Sequence, residues 1–82
     1  MGSPGRKKDV SDMEILRAIQ TIPGPAFLTS ELADRIGLSR QGTSRRLHDL
    51  EEEGLLATKK AGGRRLWWLT YDGERRLAED SS

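Results

Sequence analysis

Within three residues, Gly37-Leu38-Ser39, the chain stops one helix and starts another, and this step constrains the fold more than any other feature. Gly37 ends a short helical run, capped by Thr29 or Ser30 and ending at Ile36, by taking a left-handed conformation that a Cβ would disfavour. Ser39 can cap the next helix, because its hydroxyl accepts one of the free backbone amides at a helix start. Two helices joined by so tight a turn cross steeply and need a small residue where they touch, which Ala33 supplies. On the following helix, 39–53, Thr43, Leu47 and Leu50 recur at spacings of four and three and so share one face. Gly54 closes it.

The flanking segments complete one small domain. Ser11-Asp12-Met13-Glu14 matches a capping box, in which Ser11 and Glu14 each satisfy a free donor at the start of a helix. Met13, Leu16 and Ile19, joined by Ile15 and Ile22, continue at helical spacing to about Thr21, where Pro23-Gly24-Pro25 stops the helix. Leu55 to Lys60 and Arg64 to Thr70 read as strands around the hairpin turn Ala61-Gly62-Gly63. Thr70, with Asp72 and Glu74, opens a last short helix reaching about Glu79. The expected class is α+β and mostly helical: a three-helix bundle, a two-stranded β-hairpin and a short C-terminal helix over residues 9–80. Residues 1–8 are expected to form a flexible basic arm and 81–82 a disordered tail.

Composition removes whole classes of chemistry. With 82 residues and 34% apolar content, the chain can bury only a small core. It has no cysteine, hence no disulfide, thiolate metal site or cysteine nucleophile, and His48 is its single histidine. The carboxylates fall on helix starts and solvated faces, and no phosphate-binding glycine motif occurs, so neither catalysis nor a cofactor is expected. No apolar run approaches the roughly 20 residues of a membrane span. The basic start is not followed by a secretory signal, so a cytoplasmic location is expected.

Charge is informative through its distribution. The formal net charge is only +1, yet three segments hold basic residues and no acid: Arg6-Lys7-Lys8, Arg40 with Arg45 and Arg46, and Lys59-Lys60 with Arg64-Arg65. A fold that gathers them on one face gives a nearly neutral protein a positive surface for a polyanion.

Leu28 to Leu55 resembles the helix-turn-helix of winged-helix transcription regulators, in particular families with a Gly-Leu-Ile-like step after the recognition helix and a Leu-Thr-x-x-Gly step after the wing. Here the two steps read Gly54-Leu55-Leu56 and Leu69-Thr70-Tyr71-Asp72-Gly73. Thr43, where a larger aliphatic is usual, and Gly42, inside the first turns of the helix, depart from the pattern. The expectation for Gly42 is that it permits close approach of the helix backbone to DNA or to the second helix. The resemblance implies a winged helix-turn-helix that binds double-stranded DNA sequence-specifically as a prokaryotic or archaeal transcription regulator. Helix 39–53 would enter the major groove, and the wing, 58–66, would lie on backbone or minor groove.

With Thr43, Leu47 and Leu50 turned inward, Gln41, Arg45 and His48 take the opposite face, with Ser39, Arg40 and Ser44 beside them near the amino end. Arginine can read guanine and glutamine adenine through paired hydrogen bonds, and serine can meet phosphate or either base edge. Lys59, Lys60, Arg64 and Arg65 are the expected backbone contacts of the wing. The acidic run Glu51-Glu52-Glu53 is expected to point away from the duplex. A winged helix that docks proteins is the competing reading, but such a helix would expose apolar anchors where this one exposes Arg, Gln, Ser and His.

Trp67 and Trp68 must point to opposite faces of their strand, and Trp67 is assigned inward. Trp68, with Leu66, then faces outward and needs cover from the first or last helix or from a second copy of the chain. A homodimer through Trp68 and the C-terminal helix would place two half-sites about one helical turn apart. A chain of this length leaves no room for an effector domain, so no small-molecule ligand is expected.

Overall fold

A computed structural model of the chain describes residues 10–81. The elements run α1 (Asp12–Gln20), β1 (Phe27–Leu28), α2 (Thr29–Ile36), α3 (Arg40–Glu52), β2 (Leu56–Ala61), β3 (Arg64–Leu69) and α4 (Tyr71–Ser81). The strands form one antiparallel sheet in the order β1-β3-β2. The expected arm, 1–8, lies outside the described residues, and α4 continues to Ser81, one residue into the expected tail.

Local chemistry accounts for most of the boundaries. At α1 the Glu14 amide donates to Ser11 Oγ at 3.1 Å and the Ser11 amide donates to Glu14 Oε1 at 2.9 Å, a complete capping box. Gly37 stops α2 at φ 74°, its amide donating to the Ala33 carbonyl at 2.9 Å. Ser39 Oγ then accepts the Gly42 amide at 3.0 Å and caps α3. At the hairpin tip Gly62 and Gly63 both have positive φ, 59° and 83°, as a two-residue turn between twisted strands requires.

Two expectations about these elements are corrected. α2 is not capped by Thr29 or Ser30: Thr29 is already helical, and the preceding Leu28 amide donates to Glu31 Oε1 at 2.8 Å. Strand β1 runs straight into the helix, so the reciprocal half of a capping box, supplied by Glu31, replaces a side-chain cap. The sheet also has three strands where two were expected, because Phe27 pairs with Trp67 and Leu28 with Leu66 across the far edge of β3.

The core lies between the helices and the inner face of the sheet. Leu16, Leu32, Leu47, Leu50 and Trp67 lose all solvent contact there, and truncating one such leucine to alanine typically costs about 2–5 kcal/mol. Trp67 faces inward as expected. Trp68 is half-buried and shares a small cleft with Ile19, Gln20, Pro25 and Glu74, so the end of α1, the loop after it and the start of α4 all flank it. Among the described residues the strongly exposed large hydrophobic side chain is Tyr71, at the start of α4.

Candidate nucleic-acid interface

Because Thr43, Leu47 and Leu50 bury one face of α3, its first turns present Arg40, Gln41 and Ser44 on the other side. These three line one open cleft of about 360 Å³ together with Thr29, the first residue of α2. A second cleft, of about 370 Å³, shares Thr29 and Arg40 with the first and is completed by Leu28, Ser30, Gly63, Arg64 and Arg65. The start of α3, the start of α2 and the hairpin tip therefore form one continuous surface, on which the second and third basic segments of the sequence meet.

The ion pairs show which cations are already engaged. Arg17 bridges to Asp80, Arg46 to Asp12 at 2.9 Å and Arg75 to Glu79 at 3.2 Å, all away from that surface. Among the described residues Arg40, Arg45, Lys59, Lys60 and Arg64 have no carboxylate partner. All five are exposed. Arg46, although part of a basic segment, holds α3 to α1, which leaves Arg45 as the free cation in the middle of the helix.

Strand register divides the cations of the hairpin. Lys60 stands opposite Arg65 and Lys59 opposite Leu66, so Lys60 and Arg65 share the sheet face of Trp67 while Lys59 shares that of Trp68. Arg65 is half-buried and its Nη1 donates to Thr58 Oγ1 at 3.4 Å, which holds the guanidinium along the hairpin.

His48 departs most from its expected surroundings. Its ring meets the Trp67 indole edge-on, centroids 4.9 Å apart and planes at 76°, and its Nδ1 lies 3.3 Å from Glu51 Oε1. It is thus turned toward the base of the hairpin, apart from the cleft that holds Arg40, Gln41 and Ser44. Of the two close approaches expected at Gly42, that to the second helix is absent: a Cβ there would meet Ser39 Oγ at 3.2 Å, the cap of its own helix, and no atom of α2. Thr29 and Ser30, read from sequence only as candidate caps, join the cleft. The signal that could have found them was their place at the start of the helix before the tight turn.

This arrangement of α2, α3 and hairpin is that of a winged helix-turn-helix, and the MarR family profile matches residues 9–65. The chain belongs to the MarR family. A curated relative is the HTH-type transcriptional regulator Rv1719 of Mycobacterium tuberculosis, 42% identical over 50 residues, which make up 61% of this chain and 19% of that regulator. The oxidised form of MarR from E. coli superposes with a TM-score of 0.71 at 18% identity, over 82% of this chain and 48% of that one. Bordetella bronchiseptica BpsR, whose DNA binding is regulated by 6-hydroxynicotinic acid, superposes with a TM-score of 0.72 at 19% identity, over the same 82% and 48%. The chain spans about half the length of these MarR-fold structures and a fifth of Rv1719. No helix of the described residues is long and apolar enough to cross a membrane.

Proposed function

We propose that this chain is a sequence-specific, double-stranded DNA-binding domain of a cytoplasmic transcription regulator, acting by binding and not by catalysis. The observation that carries this reading is the continuous surface of Thr29, Arg40, Gln41, Ser44, Arg64 and Arg65, whose exposed cations Arg40 and Arg64 have no carboxylate partner while Arg17, Arg46 and Arg75 elsewhere do. In this reading Arg40, Gln41, Ser44 and Arg45 enter the major groove from the amino half of α3. Lys59, Lys60, Arg64 and Arg65 follow the flanking backbone, Ser39 meets phosphate, and His48 stands at the distal margin of the interface.

Palindromic recognition adds a homodimer, for which the surface offered is Trp68 with α4, extended by the exposed Tyr71. No small-molecule ligand forms part of the reading, and 6-hydroxynicotinic acid, the effector of BpsR, is the natural probe of that statement.

An amide chemical-shift titration with a mixed-sequence duplex at low salt tests the assignment. Shifts concentrated in Ser39 to His48 and Lys59 to Arg65 are expected. Shifts in neither segment would favour the competing protein-docking role.

A further inference from the structure

Trp67 is wholly buried, but its indole N–H does not end in the core: it donates to the Thr29 hydroxyl at 3.0 Å, joining β3 to the first residue of α2 across 38 positions of sequence. Thr29 lines both clefts of the candidate interface, beside Arg40 in each. A hydroxyl that accepts one hydrogen bond keeps its own proton, and accepting makes it a stronger donor. Among the described residues no acceptor takes that proton.

The indole is itself held from several sides. The His48 ring of α3 meets it edge-on at 4.9 Å, Thr58 stands opposite it on β2, and Phe27 stands opposite it on β1. Its Nε1 cannot swing, so the bond fixes the Thr29 hydroxyl relative to both α3 and the hairpin. A phenylalanine would fill most of the same volume and leave the threonine free to rotate. The N–H is the one feature of Trp67 that packing alone does not require.

We propose that Trp67 is a positioning residue for DNA binding, whose indole N–H aims the Thr29 hydroxyl at a backbone phosphate in the cleft beside Arg40. The proposal rests on the DNA-binding reading and adds to it one contact, Thr29, and the buried residue that orients it. Trp67 does not touch DNA. A neutral hydroxyl displaces no counterion, so losing this contact weakens binding by the same factor at every salt concentration, unlike the loss of a lysine.

The test is anisotropy of a labelled mixed-sequence duplex of about 20 base pairs, titrated with the wild-type chain and four variants between about 50 and 200 mM salt. Trp67→Phe and Thr29→Val should each weaken binding by about fivefold with an unchanged salt slope, and Thr29→Ser should stay within about twofold of wild type. The double variant Trp67→Phe/Thr29→Val should bind no more weakly than Thr29→Val, because Trp67 acts through Thr29. Wild-type affinity in Trp67→Phe, or a double variant showing the product of the two single losses, would overturn the proposal. Should Trp67→Phe fail to fold, Thr29→Val and Thr29→Ser carry the test, and equal affinity of these two overturns it. A wild-type chain that binds no duplex overturns the DNA-binding reading itself and this proposal with it. Binding by wild type that Thr29→Val leaves intact overturns this proposal alone.

Discussion

Gly73 lies against the backbone of Leu55 so closely that a methyl group on its Cα would overlap the Leu55 carbonyl oxygen and come within 3.0 Å of the Leu69 side chain. That carbonyl cannot yield easily, because it accepts the Thr70 amide at 3.1 Å. Beside it the Thr70 hydroxyl donates to the Gly54 carbonyl at 2.6 Å and accepts the Gly73 amide at 3.0 Å. The Gly-Leu step after α3 and the Leu-Thr-x-x-Gly step after the hairpin are therefore the two halves of one joint, which seats α4 on the end of α3.

This joint predicts a reversal of the usual glycine effect. Gly73 is helical and its φ is not positive, so propensity alone would have Gly73→Ala gain about 1 kcal/mol. The overlap with Leu55 instead makes Gly73→Ala destabilising by about 1–3 kcal/mol. For a domain of this size each kcal/mol lowers Tm by about 4–8 °C. Thermal denaturation followed by circular dichroism checks it, and an unchanged or raised Tm would show that the joint is looser than described.

Much of this was legible in the sequence, because the signals were local. Ser11 with Glu14, Gly37, Ser39 and the Gly62-Gly63 tip each act within a few residues, and each stands where spacing puts it. What escaped were the features made by distant partners. Strand β1 is too short to show alternation and exists because β3 offers an edge to Phe27 and Leu28. The place of Thr29 in the cleft follows from that pairing, since β1 delivers α2 to the hairpin. His48 fell on the polar face by helical spacing, but the Trp67 ring lies across its path. The separation of Arg45 from Arg46 needed Asp12, 34 positions away from Arg46, to be placed on α1.

Arg45 and Arg46 should therefore differ sharply when each is replaced by alanine. Arg46→Ala removes the partly exposed bridge to Asp12 and should cost up to about 1 kcal/mol of stability, leaving base preference unchanged. Arg45→Ala should leave stability nearly unchanged and relax selectivity at one base position by about 1–3 kcal/mol. Urea denaturation and competition binding over a set of single-base duplex variants separate the two, and matching profiles would contradict the assignment.

On the hairpin, Lys60→Ala should weaken binding to all duplexes alike and reduce the slope of log K against log salt by about one unit. The slope, measured across several salt concentrations, is the decisive quantity. A loss confined to one base position would mean that Lys60 reads sequence instead of backbone.

Ser39 and Gly42 should be energetically coupled, because the cap oxygen of one is the near neighbour of a Cβ on the other. Ser39→Ala alone should cost about 1 kcal/mol. Gly42→Ala should fall short of the gain of about 1 kcal/mol that propensity allows, and should recover it in the Ser39→Ala background. A thermodynamic cycle measured by chemical denaturation reads the coupling directly. Strict additivity would show that the Ser39 side chain yields without cost.

The placing of β3 in the middle of the sheet has a further consequence, for self-association. Its sequence, Arg64-Arg-Leu-Trp-Trp-Leu69, contains the most apolar run of any strand here and is the one best suited to pair with a copy of itself. Short as it is, β1 covers part of one edge of that strand, at Trp67 and Leu66, while β2 covers the other along its whole length. The outer edge of the sheet on the β2 side carries Lys59 and Lys60, whose charges repel an incoming strand. A two-residue strand thus shields the part of the chain most prone to aggregate, and the lysines assigned to phosphate guard the other side while no DNA is bound.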